Sequence, residues 1–108
     1  FVALKDSSDV GAYSSNGNTW TPFTLPASTN WSDVAFGTPV YDDDQANLFV
    51  AVSTSGNNAA LSTNGGATWS AINFPAAGDS TINQWTSVTY GKGQFVAIAQ
   101  SNMERFNY

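Results

Sequence analysis

The sequence contains no cysteine and no histidine, and few of its residues are charged. The first absence excludes a disulfide framework and a thiolate metal site, and the second removes the commonest imidazole ligand and general base. Lys and Arg together number three and Asp and Glu together number eight, which gives a net charge of −5. Because phosphate contacts require clustered cations, we expect no nucleic-acid partner. We also assign no cofactor and no metal site.

Long hydrophobic runs are missing too. No apolar stretch approaches the roughly 20 residues that span a bilayer, so we expect no membrane insertion. The residues that are present are 42% hydrophobic and 14% aromatic, which is enough for a core. Ser, Thr and Asn make up roughly a third of the chain. This polar but uncharged composition is typical of β-rich extracellular and virion-surface proteins.

An internal repeat organises the chain. Phe-Val-Ala occurs at positions 1, 49 and 95, at spacings of 48 and 46 residues. Further segments recur in the same order: GAYSSNGNTW as AALSTNGGATW, TPFTLP as SAINFP, and WSDVAFG as WTSVTYG. Chance similarity in a Ser- and Asn-rich chain is the alternative, and the shared order and period favour a true repeat.

Each recurring segment has the pattern of a β-strand. LFVAVS and QFVAIA are short β-branched and aromatic runs, while WSDVAFG and WTSVTYG end on glycine. TWTPFTLP and TWSAINFP stop at Pro26 and Pro75, where proline ends a strand or occupies its edge. No helical period is sustained. We therefore predict an all-β fold of four-stranded antiparallel units, each the blade of a β-propeller.

One turn sequence occurs twice, as SSNGNTW and as STNGGATW. Asn and Gly tolerate positive φ there, the Ser and Asn side chains can hydrogen-bond the turn backbone, and each Trp supplies a large apolar body to bury. We predict a structural turn motif. Its residues are Ser14, Asn16, Gly17, Thr19 and Trp20 in the first copy, and Ser62, Asn64, Gly66, Thr68 and Trp69 in the second.

The motif resembles the Asp-box repeat of the propeller family that includes the sialidases and many non-enzymatic relatives. That repeat reads serine, any, aspartate, any, glycine, any, threonine, tryptophan. The second copy fills it with Asn64 in place of aspartate, and the first copy is one residue short after Asn16. The resemblance implies that the turn joins the third and fourth strands of a blade, on the face away from the ligand.

This placement predicts the strand order along the chain. Residues 1–26 form strands two to four of one blade, 31–75 a complete blade, and 85–108 strands one to three of the next. A propeller has typically four to eight blades. We therefore expect that the chain provides about two and a half blades of a larger propeller domain. The alternative is that several copies of the chain assemble to close one propeller. A unit that is divided within its third strand argues against this alternative.

The resemblance implies that two kinds of loop lie on the ligand face. One kind joins the second and third strands of a unit, and the other joins the fourth strand to the first strand of the next unit. The longest is AAGDSTINQ, between the second and third units, and extra length in a tight repeat often marks function. Ordinary solvated loop residues are the alternative for each candidate. The candidate ligand-binding residues are Asp6, Asp9, Asn57, Asn58, Asp79, Asn83, Gln84 and Arg105.

Two other features admit a second interpretation. The three aspartates at 42–44 invite a calcium site, but without alternate spacing a solvated acidic loop is favoured. Four aromatic residues at equivalent repeat positions could stack on sugar rings, but their recurrence favours packing between blades. These are Trp31, Phe36, Trp85 and Tyr90.

The favoured function is that of a non-catalytic module in an extracellular or virion-surface protein, since phage tail-fibre and bacterial surface repeats look similar. It would bind a glycan, a cell-surface receptor or other subunits of a larger assembly. The alternative is a fragment of a sialidase-like glycoside hydrolase. Such enzymes resemble one another in three arginines and a tyrosine nucleophile with a glutamate partner. This chain has one arginine, Arg105, and one glutamate, Glu104, so we assign no catalytic residue.

Overall fold

The computed structural model is an all-β chain. It describes residues 1–38, 47–54, 58–73, 85–99 and 103–106. Ten strands lie in these ranges, and no helix is present within them. The predicted all-β, antiparallel class is confirmed for this part of the chain.

Three sheets follow one another along the chain, and we name them by position. The N-terminal sheet contains β1 (Val2–Leu4), β2 (Ser8–Tyr13) and β3 (Thr21–Thr29). The central sheet contains β4 (Trp31–Gly37), β5 (Leu48–Ser53), β6 (Asn58–Ser62) and β7 (Ser70–Asn73). The C-terminal sheet contains β8 (Trp85–Gly91), β9 (Gln94–Ala99) and β10 (Met103–Phe106). Each sheet is an antiparallel meander, because every strand pairs with the next along the chain.

The sequence repeat is reproduced in the strand register. Phe36 of β4 faces Phe49 of β5, and the equivalent Tyr90 of β8 faces Phe95 of β9. A register shift also follows the tryptophan that opens β4 and the one that opens β8. The same local sequence therefore forms the same pairing twice.

The central sheet is buried on both faces, because successive residues of a strand point to opposite sides. On one face, Val50 and Val52 of β5 join Phe95 of the C-terminal sheet in a hydrophobic cluster. On the other face, Ala51 joins Phe23 of the N-terminal sheet in a second cluster. The central sheet thus supplies residues to two cores, one shared with each neighbouring sheet.

Side chains also join the first strands of the central and C-terminal sheets. Ser32 Oγ donates to the backbone oxygen of Trp85 at 2.8 Å. Asp33 Oδ2 accepts hydrogen bonds from Ser87 Oγ at 2.8 Å and from the backbone N–H of Val88 at 3.0 Å. These bonds hold β4 beside β8, so the two sheets stack with their first strands adjacent.

Strand β3 is longer than predicted. It does not stop at Pro26 but continues to Thr29. The strand lies at the edge of its sheet, where a proline removes no ladder hydrogen bond. Pairing passes from Val10 opposite Thr24 to Ser8 opposite Thr29, so the intervening residues bulge. The predicted end at Pro26 is therefore wrong.

Candidate functional site

Three loops meet at one end of the N-terminal and central sheets, and Asn30 joins them. Asn30 is the single residue between β3 and β4. Its Oδ1 accepts a hydrogen bond from Ser7 Oγ, in the β1–β2 turn, at 2.8 Å. Its backbone oxygen accepts from the N–H of Thr54, just after β5, at 2.9 Å. We call this region the Asn30 surface. It consists of the bonded residues Ser7, Asn30 and Thr54, together with Asp6 beside Ser7 in the β1–β2 turn and Asn58 at the start of β6.

A tight turn and a buried hydrogen bond position the Asn30 surface. Ser7 has a φ of 55°, in the left-handed region, which lets β1 reverse into β2 within a short turn. Beneath the surface, the hydroxyl groups of Thr29 and Ser53 lie 2.9 Å apart and are buried, which ties the end of β3 to the end of β5. The surface therefore presents hydroxyl, amide and carboxylate groups from two sheets in one arrangement.

Two members of the predicted ligand-binding set lie at this end of the sheets. Asp6 and Asn58 are exposed and belong to the Asn30 surface. Asp9 is half-buried on β2, and the backbone of Arg105 lies in β10 opposite Val96. The predicted loop positions of Asp9 and Arg105 are wrong because these strands extend further than the sequence indicated. Asn57, Asp79, Asn83 and Gln84 lie outside the described residues.

Ser7, Asn30 and Thr54 are not among the ligand-binding residues predicted from the sequence. The available signal was the position of Asn30 between two predicted strands, which gives its side chain a place at a strand end. Its bond to Thr54 joins residues separated by 24 positions. Only the packing of one sheet on the next brings them together.

The first copy of the turn motif lies at the opposite end of the N-terminal sheet. Ser14 Oγ donates to Asn16 Oδ1 at 3.1 Å and accepts from the N–H of Gly17 at 2.8 Å. Asn16 Oδ1 also accepts from the N–H groups of Asn18 and Thr19, at 2.8 and 2.9 Å. Two short polar side chains thus satisfy most donors of the turn, which is a structural role.

The second copy repeats this pattern in the central sheet. Ser62 Oγ donates to Asn64 Oδ1 at 3.0 Å and accepts from the N–H of Gly66 at 2.9 Å. Asn64 Oδ1 accepts from the N–H of Thr68 at 3.0 Å. The indole N–H of Trp69 donates to the oxygen of Gly66 at 2.8 Å. Asparagine accepts these bonds through its amide oxygen, so it replaces the aspartate of the motif without loss of an acceptor.

The tryptophans of the two turns differ in burial. Trp69 packs against Phe23 of the N-terminal sheet, with ring centroids 5.1 Å apart, and lies 6.4 Å from Phe49. Trp20 is 43% exposed, so the prediction that it is buried against a neighbour is wrong. The partner of Trp69 comes from the preceding sheet, and among the described residues no sheet lies on that side of Trp20.

The four recurring aromatic residues also differ in burial. Trp31 and Trp85 are buried, as predicted for packing between units. Tyr90 is half-buried, with its ring centroid 5.0 Å from that of Phe95. Phe36 is 51% exposed, so the prediction of core packing is wrong for this residue.

Phe36 lines an open groove of about 610 Å³ between the N-terminal and central sheets, at the turn end. Phe36 and Phe49 form one side, with ring centroids 4.8 Å apart, and Phe1 and Tyr13 lie across from them. The rim is polar and consists of turn residues. Such a groove can take up an apolar or aromatic side chain.

The described ranges contain neither a metal-binding cluster nor a membrane-spanning helix. No three His, Cys, Asp or Glu side chains cluster there in a way that would hold a metal ion. The aspartates at 42–44 lie outside these ranges. Nor do the same ranges contain a helix with the length and apolar character that crossing a bilayer requires.

The chain was also compared with known proteins. No family model, no curated protein and no solved structure matches it. The sequence repeat and the contacts of the described residues are therefore the evidence for the function of this chain.

Proposed function

We propose that the chain is part of a non-catalytic β-propeller of the Asp-box type, which serves attachment or assembly in an extracellular or virion-surface protein. The observation that carries this proposal is the Asn30 surface. Loops from two neighbouring sheets are joined there through Asn30, at the end opposite the turn motifs. Ligand contacts are expected on that end from the family resemblance.

The stacking of the sheets supports the propeller. Each sheet is an antiparallel meander, and β4 contacts β8 through the bonds of Ser32 and Asp33. Radial stacking of such meanders around a shared axis is the propeller architecture. The assignment of 1–26, 31–75 and 85–108 to successive blades is part of this proposal.

The chemistry of the Asn30 surface supports recognition of a glycan or a polar protein segment. Ser7, Asn30 and Thr54 carry neutral hydroxyl and amide groups, which pair with sugar hydroxyls or peptide groups. Asp6 adds one exposed acceptor. Lys5, exposed in the same turn beside Asp6, adds one cation.

A glycan array probed with the chain tests the attachment function. We expect binding to at least one glycan class, weakened in Asp6→Ala and in Asn30→Ala. Asn18→Ala is the matched control, because Asn18 is an exposed amide at the opposite end. Equal weakening by all three substitutions would place the contact elsewhere, and binding to no glycan would count against the glycan form of the proposal.

The enzymatic alternative is tested on the same sample. We expect no hydrolysis of a fluorogenic sialoside above the rate of the buffer. Sialoside hydrolysis that co-purifies with the protein would support a glycoside hydrolase instead.

A further inference from the structure

The chain contains two Asn-Gly dipeptides, Asn16-Gly17 and Asn64-Gly65, one in each copy of the turn motif. In such a dipeptide the backbone nitrogen of glycine can attack the side-chain amide of asparagine, because glycine has no Cβ atom to hinder the approach. Both asparagines are exposed, and both glycines have a φ of 79°. Sequence, exposure and backbone conformation therefore do not distinguish the two sites.

The length of the turn distinguishes them. In the first copy, Ser14 Oγ accepts a hydrogen bond from the N–H of Gly17, the residue directly after the asparagine, at 2.8 Å. The second copy is one residue longer, and Ser62 Oγ accepts from the N–H of Gly66 instead, at 2.9 Å. Among the described residues, none accepts a hydrogen bond from the N–H of Gly65. Gly65 is exposed, so solvent can reach this N–H.

The side chain of Asn64 is held with its oxygen facing two donors. Ser62 Oγ and the N–H of Thr68 both donate to Asn64 Oδ1, at 3.0 Å. Attack on Asn64 Cγ places negative charge on this oxygen, and donors that already point at it stabilise that charge. Asn16 Oδ1 also accepts from two backbone N–H groups. The difference between the two turns is therefore the glycine N–H, which is bonded to serine only in the first.

We propose that Asn64 is a site of spontaneous deamidation and that Asn16 is protected by the serine of its turn. The nitrogen of Gly65 releases its proton to solvent and bonds to Asn64 Cγ. The bond from Cγ to Nδ2 then breaks, and ammonia leaves after taking up one proton. Water opens the resulting cyclic imide at either carbonyl, which gives aspartate or isoaspartate, so one water is consumed and one ammonia is released. The reaction requires neither a ligand at the Asn30 surface nor further blades.

The two products differ in their fit to the turn. Aspartate is the residue of the Asp-box pattern, and its carboxylate can accept the same bonds from Ser62 and Thr68. Hydrogen bonds to a carboxylate are stronger than those to an amide. Isoaspartate lengthens the backbone of the turn by one methylene group, which displaces the carboxylate from these donors. Asn64→Asp should therefore unfold at the same urea concentration as the parent chain or at a higher one, and unfolding at a lower concentration would contradict this fit.

The main test incubates the 108-residue chain in mildly alkaline buffer and follows both sites by peptide mapping and mass spectrometry. Because the bond to serine must break before Gly17 can attack, deamidation at Asn64 should be at least about fivefold faster than at Asn16. Labelling by an isoaspartyl methyltransferase should detect isoaspartate at position 64, since the imide route produces it. Equal rates, a faster rate at Asn16, or formation of aspartate alone would overturn the proposal.

An exchange of turn length tests the cause of the difference. Insertion of a glycine after Gly17 gives the first turn the length of the second, and it should raise the rate at Asn16 about fivefold. Deletion of Ala67 makes the reverse exchange and should lower the rate at Asn64 by a similar factor. The unaltered turn of each variant is the matched control, and its rate should stay the same. Variants whose altered turn keeps the parent rate would overturn the role assigned to turn length.

A substitution makes the same test without a change of length, in case an insertion prevents folding. Ser14→Ala removes the acceptor of the Gly17 N–H, so it should raise the rate at Asn16 about fivefold and leave the rate at Asn64 unchanged. Ser15→Ala is the matched control, because Ser15 is exposed in the same turn, and it should change neither rate. Equal acceleration by the two alanine variants, or an unchanged rate after Ser14→Ala, would overturn the protection of Asn16.

Discussion

At the scale of single residues, the turn motif depends on short polar side chains that act as backbone partners. Ser62 is buried, and its hydroxyl both accepts from the N–H of Gly66 and donates to Asn64. Gly66 has a φ of 97°, where a residue with a Cβ atom is strained. Serine, asparagine and glycine of this turn thus each meet a requirement of the backbone.

Replacement of this hydroxyl gives a first prediction. Ser62→Ala leaves the buried N–H of Gly66 without its acceptor, so the free energy of unfolding should fall by about 1–3 kcal/mol. Urea denaturation measures the change. Ser70→Ala is the control, because Ser70 is exposed on β7, and it should stay within about 0.5 kcal/mol of the parent chain. Equal losses in both variants would contradict a capping role.

At the scale of strands, equivalent positions of the repeat meet different surroundings. Gly37 ends β4 and lies beneath the Tyr90 ring, whose hydroxyl donates to the backbone oxygen of Thr38. Gly91 ends β8 at the equivalent position and has no atom within 4 Å of an added Cβ. The requirement for glycine at Gly37 therefore comes from the next sheet, and not from the strand itself.

This pair of glycines gives a second prediction. Gly37→Ala forces the Tyr90 ring away and should lower the free energy of unfolding by about 1–3 kcal/mol. Gly91→Ala has room and restricts the unfolded chain, so its effect should be neutral or stabilising by up to about 1 kcal/mol. Thermal unfolding followed by circular dichroism compares the two. A similar loss in both variants would mean that β8 does not pack on β4 as described.

At the scale of the whole molecule, the central sheet links two hydrophobic cores. Its residue Val50 belongs to the cluster shared with the C-terminal sheet, and Ala51 to the cluster shared with the N-terminal sheet. Adjacent residues of one strand thus contribute to both interfaces. Unfolding of one outer sheet uncovers a face of the central sheet, so we expect the described sheets to unfold together.

A third prediction tests this coupling. Phe95→Leu reduces a side chain with no exposed surface and should lower the free energy of unfolding by about 1–2 kcal/mol. Native-state hydrogen exchange should show the slowest amides of all three sheets losing protection by the same factor. Phe36→Leu, at an exposed phenylalanine, is the control and should change stability by less than about 0.5 kcal/mol. Loss confined to the C-terminal sheet would show that the sheets unfold separately.

The sequence alone determined the all-β class, the number of units and the position of the turns. These features depend on local chemistry: alternating and β-branched runs form strands, and Asn, Gly and Ser form the turns that join them. The hydrogen bonds of Ser14 and Ser62 span two to four residues, so they could be anticipated from spacing. Pro26 misled the prediction, because whether a proline is tolerated depends on whether its strand lies at an edge.

Only the tertiary structure decided which side of each sheet is covered. Trp20 and Trp69 have nearly the same local sequence, as do Phe36 and Tyr90. Yet Trp20 and Phe36 are exposed, whereas Trp69 packs against Phe23 and Tyr90 against Gly37, each on a neighbouring sheet. Asn30 likewise gained its partners from loops that are distant in sequence. A repeat encodes the same strand each time, but burial depends on the surface that the adjacent unit presents, and that information is not local.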